Sequence, residues 1–289
     1  MVKSRESKYL DYILVAICLG VIVVCILPMI NLLARSLSSA EYLIRNEVTL
    51  WPKGFNIEAY KLVLGDSKYT WAMVWTAIIT VAGTFLSLFM TTICAYPLTY
   101  DKLKGRKFFS TYILFTMYFS AGTIPMYLLL KDLRLLNHPL VLIVPYCLSV
   151  FNMILMRNYL YTIPDSLRES AEIDGASPTK ILTSVYLPLS TPVIATLALF
   201  YAVGRWNGFS DALMFMNKRE YWPIQLLLYN LINAVSSIET YSQEGFTQPG
   251  LSETLKAAAI MIATVPILLV YPWLQRYFIQ GVTLGAIKE

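Results

Sequence analysis

Six long stretches of this sequence contain no aspartate, glutamate, lysine or arginine: Tyr12 to Ala34, Tyr69 to Tyr100, Phe108 to Leu130, Leu135 to Met156, Ile181 to Gly204 and Ala257 to Gln275. Crossing the hydrocarbon core of a bilayer takes about 20 mainly apolar helical residues, and each stretch is of that order. Only 14% of the 289 residues are charged, whereas an ordinary soluble domain carries about 25%. Lipid offers backbone groups no water, so such stretches must satisfy their hydrogen bonds internally, as helices. The expected fold is an all-α integral membrane protein in a single domain, with six transmembrane helices at about residues 12–34, 72–97, 108–130, 139–157, 186–206 and 257–275.

The first stretch begins soon after the N-terminus, yet it is too long for the apolar region of a signal peptide, and no small-residue cleavage site follows it. It reads as a retained helix. Lys3, Arg5 and Lys8 precede it, and Lys102, Lys104, Arg106 and Lys107 follow the second stretch. Basic residues in short loops mark the cytoplasmic side. The N-terminus and residues 158–188 are therefore expected in the cytoplasm, with residues 35–70 and 207–256 outside. Within the second outer segment, residues 221–238 are uncharged but contain Pro223, Gln225, Asn230 and Asn233. Those groups are costly against lipid, so an extracellular or re-entrant element is expected there rather than a seventh span.

Several functions are disfavoured by what the chain lacks. It has one histidine, His138, beside Pro139, and no HExxH or nucleophile-base constellation, so neither a catalytic residue nor a metal ligand is assigned. No GxxxxGK[ST] phosphate loop occurs, so any ATP-driven motion needs a partner to burn the nucleotide. The net charge of +5 is ordinary for a membrane protein with basic cytoplasmic loops, and no nucleic-acid role is read from it. Cys18, Cys25, Cys94 and Cys147 all fall within apolar stretches without metal-ligand spacing, where cysteine packs as a small hydrophobe.

The informative segment is the polar one between the fourth and fifth stretches. Asp165 is placed to cap a short helix running to Asp174, Gly175 supplies the left-handed residue that ends it, and Ser177-Pro178 starts a second helix. Ile181, Leu182, Val185 and Leu189 then form an apolar stripe at helical spacing. Ser170, Ala171, Gly175 and Ala176 are small enough to let another surface approach the backbone, and Glu169 and Glu172 offer carboxylates. By local physics alone, a docking knob and a solvated, capped loop are equally good readings.

Glu169-Ser170-Ala171, three residues, Gly175, nine residues and then Val-Tyr-Leu-Pro ending at Pro188 resemble the EAA motif of permease subunits in binding-protein-dependent ABC importers. Ser170 and Val185 depart from that pattern by small or isosteric changes. Residues 119–137, 200–213 and 277–289 look like the corresponding stretches of the carbohydrate-specific branch, with its MalG-like and LplC-like subunits. The resemblance implies a permease fold in which residues 165–176 form a cytoplasmic coupling helix. Glu169, Ser170, Ala171, Asp174, Gly175 and Ala176 would then be the ATPase-coupling residues. The partners it implies are a second homologous permease, two copies of a cytoplasmic ATPase that bind the ATP and Mg, and an extracellular solute-binding protein. The cargo would be a sugar, of the kind released as oligosaccharides from complex and even acidic polysaccharides.

Sugars are held by aromatic faces together with hydroxyl and amide groups. At membrane depth this chemistry points to Tyr118, Ser120, Asn152, Trp206 and Asn207 as substrate-pathway candidates. Each has a plainer reading: Trp206 as an interfacial anchor, Asn152 bonded to a neighbouring helix, and Arg205 beside them extended toward the interface. An ion-coupled secondary transporter or channel is the alternative, but such proteins usually bury ionisable groups in their spans.

Overall fold

The computed structural model describes residues 5–241 and 249–286. Lys3 of the basic N-terminal run, residues 242–248 of the second outer segment and residues 287–289 of the tail lie outside these. Among the described residues every regular element is a helix. α1 (Arg5–Ser36) carries the first apolar stretch, followed by the short α2 (Ala40–Ile44) and α3 (Glu58–Gly65). α4 (Ser67–Ala95) carries the second, α5 (Arg106–Tyr118) and α6 (Thr123–Asp132) share the third, and α7 (Val150–Leu160) ends the fourth. The polar segment is α8 (Asp165–Ile173), leading into α9 (Pro178–Ile181) and α10 (Leu187–Leu189). α11 (Thr191–Asn207), α12 (Ser210–Phe215), α13 (Ile224–Tyr241) and α14 (Pro249–Ala286) complete the order.

Among the described residues, three helical segments are by themselves long and apolar enough to cross a membrane: Asp11–Ser36, Ser67–Thr99 and Ser252–Val270. The sequence leads one to expect one helix per apolar stretch, and three stretches are instead divided. The third bends by 113° between α5 and α6. Gly122 sits at φ +87° in the break, and Pro125 then falls in the first turn of α6, where its missing N–H costs nothing. In the fourth, helix is confined to a 3-10 turn at Pro139–Leu142 and to α7, with residues 143–149 unwound between them. The fifth bends by 81° at Ser190, between prolines 188 and 192. From the doubtful segment at 221–238, α13 emerges as a helix whose apolar part, Ile224–Ala234, is shorter than a span.

The chain forms two compact units. The first comprises Met1–Thr70 and Leu227–Val265. Here Arg35 at the end of α1 pairs with Glu253 of α14, and Ser36 Oγ meets Tyr60 Oη at 2.7 Å. Ala34, Leu43 and Val48 form its small core under the α2–α3 segment. Asn56 Oδ1 accepts the Glu58 N–H at 2.7 Å, an Asx-type start for α3.

The second unit comprises Trp71–Leu226 and Pro266–Glu289. It holds two cores, one around Ala95, Met153, Met156, Leu160, Ile181, Tyr186 and Leu197, the other around Ile79, Leu130, Val141, Phe215 and Leu226. Ile79 and Ala95 both lie on α4, about 24 Å apart at helical rise, so this helix ties the two cores together. Trp71 and Trp75 donate their indole N–H groups to the Glu220 and Tyr221 carbonyls, each at 2.8 Å.

Candidate functional site

α8 is an amphipathic helix whose polarity is set by Asp165, Arg168, Glu169 and Glu172. Asp165 is its first helical residue, with Pro164 at the cap position, and so does not cap it as expected. Its carboxylate pairs instead with Arg168 at 2.9 Å, one turn on. The C-terminus follows the expected chemistry. Gly175 takes φ +75°, its N–H bonds the Glu172 carbonyl at 3.1 Å, and the Ala176 N–H bonds that of Ala171 at 3.0 Å. These two bonds are a Schellman closure, which only glycine makes without strain. Ser177 Oγ then accepts from the Lys180 N–H at 3.3 Å and Pro178 opens α9.

One face of α8 rests on the unit's core and the other does not. Ala171 and Ala176 pack against that core, so these two small residues serve contact within the chain. Glu169, Ser170, Asp174 and Gly175 are exposed, and so are Leu167 and Ile173, the latter 86% accessible. Leu167 and Ile173 are thus apolar side chains left uncovered on an otherwise polar helix.

Arg168 fixes this helix to the rest of the unit. Its side chain is only 13% accessible. The guanidinium lies over the Tyr100 ring at 4.9 Å from the centroid, hydrogen-bonds the Tyr186 hydroxyl, and reaches Glu172 at 3.8 Å. Tyr100 and Tyr186 both pack on Tyr96 with centroids at 5.2 Å, and Tyr96 Oη donates to the Pro178 carbonyl at 3.1 Å. Tyr186 reaches this position because Leu182–Tyr186 form a π-helical turn. At 3.6 residues per turn the buried stripe would run Ile181, Val185, Leu189; the widened turn buries Ile181, Tyr186 and Ser190 and leaves Leu189 exposed. Pro188, whose ring cannot tolerate a regular turn before it, accounts for the widening.

A second feature is a cavity of about 360 Å³ in the same unit, lined by Tyr146, Ser149, Asn152, Tyr201, Arg205 and Asp211 among others. Arg205 does not extend to an interface. Its Nη1 donates to the Leu142 carbonyl at 2.8 Å, and Nη2 to Ile143 O at 3.1 Å, Tyr146 O at 3.0 Å and Ser87 Oγ at 3.2 Å. The arginine thereby supplies the donors that the unwound residues 143–149 lack, which is what makes non-helical backbone tolerable at this depth. Tyr146 hydrogen-bonds Asp211 across the cavity, and Tyr201 Oη meets Thr91 Oγ1 at 2.7 Å while accepting from Ser149 N at 3.1 Å. Burial raises the Asp211 pKa above the ordinary carboxylate value, and the Tyr146 hydrogen bond and Arg205 charge offset part of that rise.

The five pathway candidates are not brought together. Asn152 is buried and lines the cavity. Trp206 is buried on the opposite face of α11, against Thr80, Val203, Pro266 and Ile267, while Asn207 is exposed at the end of that helix. Tyr118 and Ser120 flank the α5–α6 break, both exposed, with Ser120 Oγ accepting from Gly122 N at 3.3 Å.

Residues 83–284 match the family described as "Binding-protein-dependent transport system inner membrane component". The chain belongs to this family. It is 36% identical over 284 residues to the polygalacturonan/rhamnogalacturonan transport system permease protein YtcP of Bacillus subtilis, covering 98% of this chain and 99% of that one. Protein LplC of the same organism is 37% identical over 290 residues, covering 100% and 98%. A solved chain of a bacterial ABC transporter involved in the import of the acidic polysaccharide alginate shares 34% identity and superposes with a TM-score of 0.86, covering 96% of this chain and 99% of that chain.

The permease fold inferred from the EAA-like motif is thus shown, and an ion-coupled carrier or channel gives way to an ABC-importer permease subunit, which is not itself an enzyme. Within this permease the sequence reading overlooked Arg168, the Tyr96-Tyr100-Tyr186 cluster, and Leu167 and Ile173. Acids at i−3 and i+4 around Arg168 were a legible sign of a held guanidinium, but its aromatic partners come from distant parts of the chain.

Proposed function

We propose that this permease forms one half of the membrane pathway of an ATP-driven importer of oligosaccharides derived from complex, acidic polysaccharides. α8 and its glycine closure form the peg that seats on a cytoplasmic ATPase. The observation that carries the reading is the outward face of α8, where Leu167, Glu169, Ser170 and Ile173 stand exposed on a helix anchored from behind by Arg168 and Ala171. Two ATPase copies hold the ATP and Mg, a second homologous permease closes the pathway, and an extracellular solute-binding protein delivers the sugar. The N-terminus and residues 158–188 lie in the cytoplasm of a bacterial cell, and residues 35–70 and 207–256 face outward. The acidic character of the cargo is supported by the polygalacturonan/rhamnogalacturonan and alginate systems to which the chain is similar.

Cargo charge is not read by Arg205, whose terminal nitrogens are committed to four protein acceptors. Discrimination of uronates therefore falls to the partner subunits, the solute-binding protein above all. Asn152 and Tyr146 in the cavity, with Tyr118 and Ser120 at the α5–α6 break, remain the groups of this chain suited to meeting sugar hydroxyls. Copurification from cells expressing the whole importer tests the peg. Glu169→Lys and Gly175→Val are each expected to release the ATPase and abolish uptake; ATPase retention at the wild-type level in both would refute the assignment.

A further inference from the structure

We infer that Arg168 is the joint through which α8 drives the helices behind it, acting on α4 and α11 together. This rests on the reading of α8 as the ATPase-facing helix and concerns its opposite face. A peg transmits force only if it cannot slide or swivel on its support, and the backbone connections of α8 do not prevent that. On one side it joins α7 through residues 161–164, on the other it joins α9 through Gly175 and Ala176. Both are single strands of chain. Side-chain contact must therefore carry the load, and Arg168 makes the contacts that reach furthest in sequence.

Its guanidinium is held within α8 by Asp165 and Glu172, so it moves with that helix. Its ring partner, Tyr100, directly follows the 3-10 turn that ends the α4 segment. Its hydroxyl partner, Tyr186, sits in the π turn four residues short of the corner at Ser190, after which α11 begins. Tyr96 bridges the two tyrosines, with centroids at 5.2 Å to each ring, and locks to α9 through the Pro178 carbonyl. One planar cation thus grips two helix ends by different means, a ring face and a hydroxyl. Lysine can reproduce the charge but not the planar stack combined with a directed fork of donors. Ala171 packs alongside without polar contact and resists compression, whereas the arginine also resists withdrawal.

The test is a coupling ratio measured on the complete importer in liposomes, with its solute-binding protein and oligosaccharide present. ATP hydrolysed per sugar imported is expected to rise about fivefold or more in Arg168→Gln, less in Arg168→Lys, and in Tyr186→Phe as well. The effects of Arg168→Lys and Tyr186→Phe are expected to be non-additive, because both loosen one contact. ATPase copurification should persist in all three, which separates this joint from the outward face, where Glu169→Lys is expected to release the ATPase. If Arg168→Gln does not assemble, Tyr186→Phe, which keeps the ring in place, decides the matter by the same ratio. An unchanged ratio in these variants, or import and hydrolysis falling in step, overturns the inference.

Discussion

Replacing Gly83 by alanine should destabilise this protein, although the change normally strengthens a helix. Gly83 lies inside α4, and a Cβ there would stand 2.5 Å from Arg205 Cδ and 2.7 Å from Cζ. A flexible arginine would ordinarily swing aside. This one is pinned by the carbonyls of Leu142, Ile143 and Tyr146 and by Ser87 Oγ, at 2.8 to 3.2 Å. Moving it far enough to admit a methyl group breaks about two charge-assisted hydrogen bonds, each contributing roughly 1.5–3 kcal/mol. Alanine returns about 1 kcal/mol of helix propensity over glycine, and the displaced guanidinium recovers part of its bonding. A net loss of about 2–3 kcal/mol remains, equivalent to a fall in Tm of roughly 3–5 °C for a chain of this size. Thermal unfolding of the purified permease in detergent, followed by fluorescence-detected size exclusion, measures it. Gly20→Ala in α1, where nothing lies within 4 Å of the added carbon, is the control and should hold or raise Tm. A Gly83→Ala protein as stable as the wild type would refute the placement of Arg205 against α4, and with it the account of how residues 143–149 stay unwound.

Two further outcomes follow from buried polar groups in the same unit. Thr76 Oγ1 accepts the Ile224 N–H at 2.8 Å while donating to Ala72 O at 2.6 Å, so Thr76→Val orphans a buried amide and should cost about 1–3 kcal/mol, with Thr76→Ser restoring stability. Equal stability of the valine and serine variants would show that the bond contributes nothing. Asp211 has a folded pKa raised by burial, so its favourable contribution is complete below the unfolded value, about 4, and is lost as pH rises through the folded value. Asp211→Asn should therefore flatten the decline of Tm on raising pH above about 4, and a slope identical to wild type would contradict it.

The polar segment between the fourth and fifth stretches was legible in outline because its signals are local. Gly175 and Ser177 act within one turn of themselves, and the structure finds both where their chemistry requires. Asp165 misled because a carboxylate at the first helical position has two good uses, and the nearby Arg168 outcompeted the backbone for it. Tyr186 and Leu189 exchanged places through a π turn, an insertion that periodicity cannot register because the sequence shows no gap. Trp206 and Asn152 looked equally suited to meet a sugar at depth, yet Trp206 stands about 100° around α11 from Arg205 and so turns away from the cavity that Asn152 and Arg205 line.

From sequence alone came the membrane as solvent, the helical class, the family, and the polar helix set between apolar stretches. The family came from the resemblance of its motifs; the others follow from composition or from spacing within a few residues, where the physics is short-ranged. Only the tertiary structure decided that three of the apolar stretches are broken, that Arg205 supports one of the breaks, and that Arg168 lies between tyrosines 68 residues before and 18 after it in the chain. Those contacts pair groups remote in sequence, and no local preference of either partner records that the other will be there.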